Sequence, residues 1–221
     1  SSAAFKVDWG DGAGWNLYAA NTIAEKNLQW ADYDAGTLCS RGYRQAIVTV
    51  EPQSGNLTGL SLQNRHSSAA AASNTSSVWL DLRIACNGTP SLAGPYAAWV
   101  PRMLEQVEIA SPVTSAMYLF FFCYALRCVG ALNTSASTSF AGMFQNCYSL
   151  QQVPALDTAA GTNFDSMFYN CYSLQQVPAL NTAAGTNFFS MFAGCSSLQF
   201  VPVLDTSAGT NFSSMFYYCS S

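Results

Sequence analysis

The chain has 221 residues, of which 50 % are apolar and only 9 % charged, with a net charge of −4. That length bounds one large domain or two small ones, with apolar surface enough for a real core. The scarcity of Lys and Arg excludes nucleic acid, which needs clustered basic groups. The longest apolar run, "AMYLFFFCYAL" from Ala116, is about half a membrane span, so no crossing segment is expected.

Residues 1–52 stand apart in composition, with three of the five Trp and half of the Lys and Arg. "FKVDWGDG" alternates as a strand does and then turns at Asp11-Gly12, a hairpin signal. "RQAIVTV", ending at Val50, is a second strand. The expectation is a small β-domain over 1–52 that caps the remainder of the chain and covers its first strand edge.

From residue 53 onward one pattern returns, apolar-x-x-apolar-x-apolar. It fits Leu57, Leu60 and Leu62, then Trp79, Leu82 and Ile84, then Leu104, Val107 and Ile109. With one extra residue it fits Leu126, Val129 and Leu132. The rival reading of the three early matches is ordinary strands of a β-domain. Irregular repeats are expected over 53–115 and regular ones over 116–221.

The regular part keeps a 24-residue step: Met143, Met167, Met191 and Met215, and likewise Phe140, Phe164, Phe188 and Phe212. A fixed period of this size signals stacked supersecondary units that bury their apolar faces only against one another. The expected fold is therefore a repeat solenoid, right-handed and leucine-rich-repeat-like, with a short strand and a short helix per unit. Phe164, Met167, Phe168 and Cys171 fall at i, i+3, i+4 and i+7, which predicts the helix. Thr162 or Asn163 stands at its N-cap. Leu174, Val177 and Leu180 mark the strand, shortened by Pro178. Gly161, Gly185 and Gly209 mark the returning turn. Leu82, Val107, Val129, Val153, Val177 and Val201 should stack in one column. The last unit, "MFYYCSS", stops partway, and the start shows neither an initiator Met nor a signal peptide, so the chain reads as a piece of a longer protein.

"FKVDWGDG" followed by "GYRQAIVTV" resembles a small PKD-related β-domain of bacterial and phage surface proteins. "MFxxCxSLxxVPxLDT" with "TNFxxMF" resembles the BspA-like leucine-rich repeats that often follow such a domain. Together with the Gln-, Ser- and Asn-rich exposed positions, the combination is most similar to phage virion proteins of tail or surface appendages. The early units depart from it, since they lack the Met-Phe-Cys signature. The resemblance implies an extracellular or virion-surface place and partners among sister subunits or host receptors.

Catalytic motifs are missing from the sequence: no phosphate loop, nucleophile elbow or metalloprotease helix occurs. His66, the single histidine, lies in the polar stretch "LQNRHSS" and reads as a surface residue. Asp8, Asp11, Asp32 and Asp34 offer oxygen ligands for calcium, or a glycosidase pair; the plainer reading is a hairpin turn and an exposed loop. No metal and no cofactor are expected. Cys123, Cys147, Cys171, Cys195 and Cys219 keep the 24-residue step and are expected as reduced, buried thiols with parallel side chains. A bridge among Cys39, Cys86 and Cys128 stays open.

A second column is exposed in kind. Tyr148, Gln151 and Gln152 recur as Tyr172, Gln175 and Gln176, with Gln199 one step further. Aromatic rings beside neutral hydrogen-bonding groups suit a glycan or a protein surface; the alternative is a solvated face without a role. The expectation is a non-enzymatic structural and binding protein of an exposed assembly, a phage virion appendage that forms oligomers and meets a host glycan or protein receptor. The alternatives are a bacterial cell-surface adhesin and, behind it, a glycan-active enzyme.

Overall fold

The computed structural model describes residues 4–9, 12–20, 22, 49–52, 81–84, 104–110 and 112–220. Leu57, Leu60, Leu62, Trp79, His66, Asp11, Asp32, Asp34, Cys39 and Cys86, each singled out above, lie outside them. The chain divides into two compact units, Ser1–Gly59 and Leu60–Ser221.

The first unit holds a three-stranded antiparallel sheet. Strands β1 (Phe5–Asp8) and β2 (Trp15–Tyr18) form the hairpin, with Phe5 opposite Tyr18 and Asp8 opposite Trp15. Phe5 and Val7 are buried while Lys6 and Asp8 are partly exposed, as a half-buried strand requires. Phe5 stacks on Tyr18 at 5.5 Å, and the Lys6 ammonium lies 4.1 Å from the Trp15 ring centre, a cation–π contact. The third strand, β3 (Thr49–Pro52), pairs with the other side of β1. It begins at the end of "RQAIVTV" and runs two residues past it.

The second unit opens with a parallel ladder of β4 (Asp81–Ile84), β5 (Gln106–Ile109) and β6 (Cys128–Val129). Its register sets Leu82 opposite Val107 and Val107 opposite Val129. Three members of the expected column are thus hydrogen-bonded neighbours. Val107, Val129 and Val177 are buried, and Val153 and Val201 pack against the same core. Further along, pairing shrinks to single parallel bridges. Ser139 meets Asn163, Asn163 meets Asn187, Asn187 meets Asn211, and Gln176 meets Phe200.

The expected short helix is not formed; among the described residues there is no helix at all. In its place runs a series of turns, and its hydrogen bonds explain why. An α-helix would send each amide to a carbonyl four residues back. Here Met143, Gln145 and Cys147 bond three residues back, to Phe140, Gly142 and Phe144. The amides of Phe140, Gly142, Phe144 and Asn146 reach forward instead, to the carbonyls of Asn163, Asp165, Met167 and Tyr169 in the next repeat. A helix of two turns would leave its end groups unpaired, whereas this arrangement pairs alternate amides with the neighbouring copy. Left-handed residues break the helical path: Gly142 and Asn146 have φ of 56° and 63°, and Ser166 and Asn170 have 53° and 58°. The N-cap expectation changes accordingly. The Asn163 side chain accepts the Asp165 amide at 3.0 Å and closes a turn instead of capping a helix.

The apolar stripe read from the spacing is nonetheless buried. Phe164, Met167, Phe168 and Cys171 are all inaccessible, and so are Phe140, Met143, Phe144 and Cys147. Two phenylalanine columns run through this core. Phe120, Phe144, Phe168, Phe192 and Phe216 stack at 5.2 to 5.6 Å. Phe140, Phe164, Phe188 and Phe212 stack at 5.3 to 5.6 Å. Gly161 sits against the second column. Its backbone φ is not positive, yet a Cβ there would lie 2.7 Å from Phe164 Cζ and 2.9 Å from Phe140 Cε2. That glycine is required for space.

Polar groups inside the repeats are paired across copies. The buried hydroxyls of Thr134, Thr158 and Thr182 donate to the carbonyls of Asp157, Asn181 and Asp205 at 2.8 to 2.9 Å. Asn170 Nδ2 donates to Asn146 Oδ1 at 2.9 Å. Such bonds offset the desolvation of each buried group.

Candidate functional site: a neutral tyrosine and glutamine face

The exposed residues of the strand-like half line up because the backbone does. Gln151 donates its amide to the Arg127 carbonyl, and Gln199 donates to the Gln175 carbonyl. The bridge from Gln176 to Phe200 then makes a second column beside the first, outside the buried valines. Gln151, Gln152, Gln175, Gln176 and Gln199 are all exposed. Phe200 is exposed too, where the periodic residue in the two preceding repeats is glutamine.

The tyrosines stand three positions earlier. Tyr124, Tyr148 and Tyr172 form a stack with ring centres 4.7 and 4.9 Å apart and planes inclined by 17° and 23°. The spacing matches the distance between paired strands, about 4.8 Å, so the repeat itself sets the stack. Sequence reasoning singled out Tyr148 and Tyr172 and missed Tyr124, although it lies one 24-residue step before Tyr148. Burial pushes the Tyr148 phenol up, with Tyr124 and Tyr172 adding to the shift, so it stays neutral at physiological pH. Arg127 opens the glutamine row, and from Tyr148 onward the face carries phenols, amides and hydroxyls. Tyr148, Gln151 and Gln152 thus adjoin Tyr172, Gln175 and Gln176 in register, with Gln199 closing the row.

Cys123, Cys147, Cys171 and Cys195 are buried free thiols, and Cys219 is a partly buried one. Each of the last four lies 3.1 Å from the carbonyl oxygen of a phenylalanine in the repeat before: Cys147 to Phe120, Cys171 to Phe144, Cys195 to Phe168 and Cys219 to Phe192. The recurring geometry is a column of S–H donors. Burial raises the thiol pKa along the column, and Cys195 is pushed up to about 12. A thiol held protonated is a poor nucleophile and a poor metal ligand. Cys128 is free and exposed, in register with Gln106. Among the described residues no three His, Cys, Asp or Glu side chains converge as metal ligands would, and no helix is long and apolar enough to cross a membrane.

Residues 114–221 match the family described as Mycoplasma protein of unknown function, DUF285, which is related to the BspA-like surface proteins. The match covers the regular repeats. No curated protein and no solved structure matches the chain.

Proposed function

We propose that the chain is a non-enzymatic binding protein of an exposed assembly, and that its repeats wind as a right-handed solenoid that presents the tyrosine and glutamine columns to a partner. The observation that carries this reading is the register. Parallel pairing of Leu82 with Val107 and Val107 with Val129, followed by bridges and backbone hydrogen bonds one repeat apart, keeps equivalent side chains in rows. Rows of unionised amides and phenols recognise; they do not move protons at neutral pH. A row of like charges would repel itself at this spacing, whereas amides and hydroxyls tolerate repetition.

The relationship of the matched family to BspA-like surface proteins supports a surface setting. On one reading the chain is a subunit of a phage tail or surface appendage, oligomeric, meeting a host glycan or protein receptor with the repeats and capped by a PKD-like domain over 1–52. That reading rests on the combination of "FKVDWGDG" with the repeats. A second reading is a bacterial cell-surface adhesin built from the same units, which shares the surface setting but not the phage particle.

Antibody raised against residues 1–221 tests the shared core of both. It should label intact particles or intact cells without permeabilisation, and mass spectrometry of the purified particle or the cell envelope should recover the chain. Labelling that requires permeabilised cells would overturn the proposal.

A further inference from the structure

The tyrosine column stops one ring short. Tyr124, Tyr148 and Tyr172 stack in order, and the next step of 24 arrives at Ser196. Ser196 stands beside Tyr172, with its hydroxyl 3.5 Å from the Tyr172 carbonyl oxygen. Tyr148 has a stacked ring on each face. Tyr172 gives one face to Tyr148, and among the described residues no ring covers the other. Tyr172 is 43 % exposed, and a side chain of two heavy atoms at Ser196 replaces a ring of about 200 Å² surface. The surroundings are polar and neutral. Gln175 and Gln199 lie three positions along the two repeats, exposed, with the Gln199 N–H donating to the Gln175 carbonyl at 2.9 Å. After Arg127 the only charged side chains are Asp157, Asp165 and Asp205.

We propose that the open face of Tyr172, beside Ser196, Gln175 and Gln199, is a subsite for one neutral pyranose unit of a glycan. This rests on the binding-protein reading given above and narrows its ligand. A pyranose is about as thick as an aromatic ring, and its axial C–H groups suit a ring face at the stacking distance the column already sets. Its equatorial hydroxyls point outward in the ring plane, where amide and hydroxyl groups both donate and accept. An aromatic side chain of a protein partner would use the ring face but leave Gln175, Gln199 and Ser196 without a role. A nucleotide would bring phosphate to a subsite whose row, among the described residues, holds no cation nearer than Arg127, two repeats before Gln175. An acidic sugar fails on the same ground.

An array of immobilised neutral and sialylated oligosaccharides, probed with the full chain, tests the assignment. Three variants accompany the wild type. Tyr172→Ala removes the face, Tyr172→Phe keeps it, and Ser196→Tyr supplies the absent ring and fills the subsite with a residue the column already accepts at three positions. The expected result is binding to neutral glycans. Tyr172→Ala and Ser196→Tyr should each weaken it about tenfold or more, and Tyr172→Phe only a few-fold. Thermal melting of Ser196→Tyr at or above the wild-type temperature shows that its loss is local. Neutral-glycan binding that survives both Tyr172→Ala and Ser196→Tyr overturns the subsite while leaving the binding-protein reading in place. Binding to intact cells or particles with no glycan retained on the array points to a protein partner and also overturns the subsite. Binding to neither overturns both.

Discussion

The thiol of Cys171 lies 3.1 Å from the carbonyl oxygen of Phe144, twenty-seven residues earlier in the chain, and the same relationship recurs from Cys147 to Phe120 and from Cys195 to Phe168. The thiol fills space in the core and ties one repeat to the one before it. Cys171→Ala should therefore lose a weak hydrogen bond as well as a buried sulfur, costing about 1–2 kcal/mol. Urea titration of the variant measures this. A change within error of zero would show that the column is space-filling only. In the native protein Cys123, Cys147, Cys171 and Cys195 should resist alkylation and become reactive together on denaturation.

The same thiols predict an alkaline limit to stability. Their pKa is raised in the folded state, from an ordinary value of 9.0, because burial disfavours the thiolate. Below pH 9 folded and unfolded chains both keep the protons, so the stabilisation is fully present. Above it the unfolded chain ionises first, binds fewer protons than the folded one, and stability falls as pH rises toward the folded values. Each thiol contributes about 1.4 kcal/mol per pH unit in that window, so four together give a slope of at most about 5.5 kcal/mol per pH unit. Melting temperatures recorded from pH 7 to 11 should be level at first and then drop. Cys171→Ala, less stable at pH 7, should show the shallower decline; an equal slope would exclude the thiols as its cause.

Gly161 gives a steric test. A methyl group there would meet Phe164 at 2.7 Å and Phe140 at 2.9 and 3.0 Å, and both rings are locked in a stack at 5.6 Å. Neither ring can give way without unstacking. Gly161→Ala should destabilise by about 2 kcal/mol or more, in line with overpacked cores. Chemical denaturation reads it directly. Were the glycine present for backbone freedom alone, alanine would be tolerated, because the backbone here is not in the left-handed region.

How far the sequence carried the structure can be seen at Phe164, Met167, Phe168 and Cys171. Their spacing correctly marked four buried residues. It also suggested a helix, and there it failed, because a series of tight turns with left-handed residues at Ser166 and Asn170 buries the same positions. Inward-facing spacing reports which side chains point to the core, not which hydrogen-bond partner the backbone takes. Only the identity of the partner repeat distinguishes the two, and that is tertiary information. The paired register of Leu82, Val107 and Val129 was legible, since apolar columns at steps of 25 and 22 need only counting. On the candidate face the rows were legible and the ring geometry was not. The 24-residue step sets Tyr124 before Tyr148 and Ser196 after Tyr172, but it does not say that the rings stack. That follows from the ring separations of 4.7 and 4.9 Å.

Asn170 separates the two demands made on one position of the turn. Its φ is 58°, and its side-chain amide donates to the buried Asn146 at 2.9 Å. Asparagine accepts the left-handed region more readily than other non-glycine residues. The equivalent residue in the next repeat is Gly194, with φ of 77°, where a Cβ would come within 2.3 Å of the Asn170 side-chain oxygen. Asn170→Gly should keep the backbone and lose only the side-chain hydrogen bond to Asn146, at about 1 kcal/mol. Asn170→Ala should lose that bond and also force alanine into the left-handed region, adding about 1 kcal/mol more. Equilibrium unfolding of the pair in the same buffer gives the difference. If alanine proves as stable as glycine, then φ at this position is set by the cross-repeat bonds around it, such as Asn170 N–H to the Ala193 carbonyl at 2.8 Å, and the residue type matters only through its side chain.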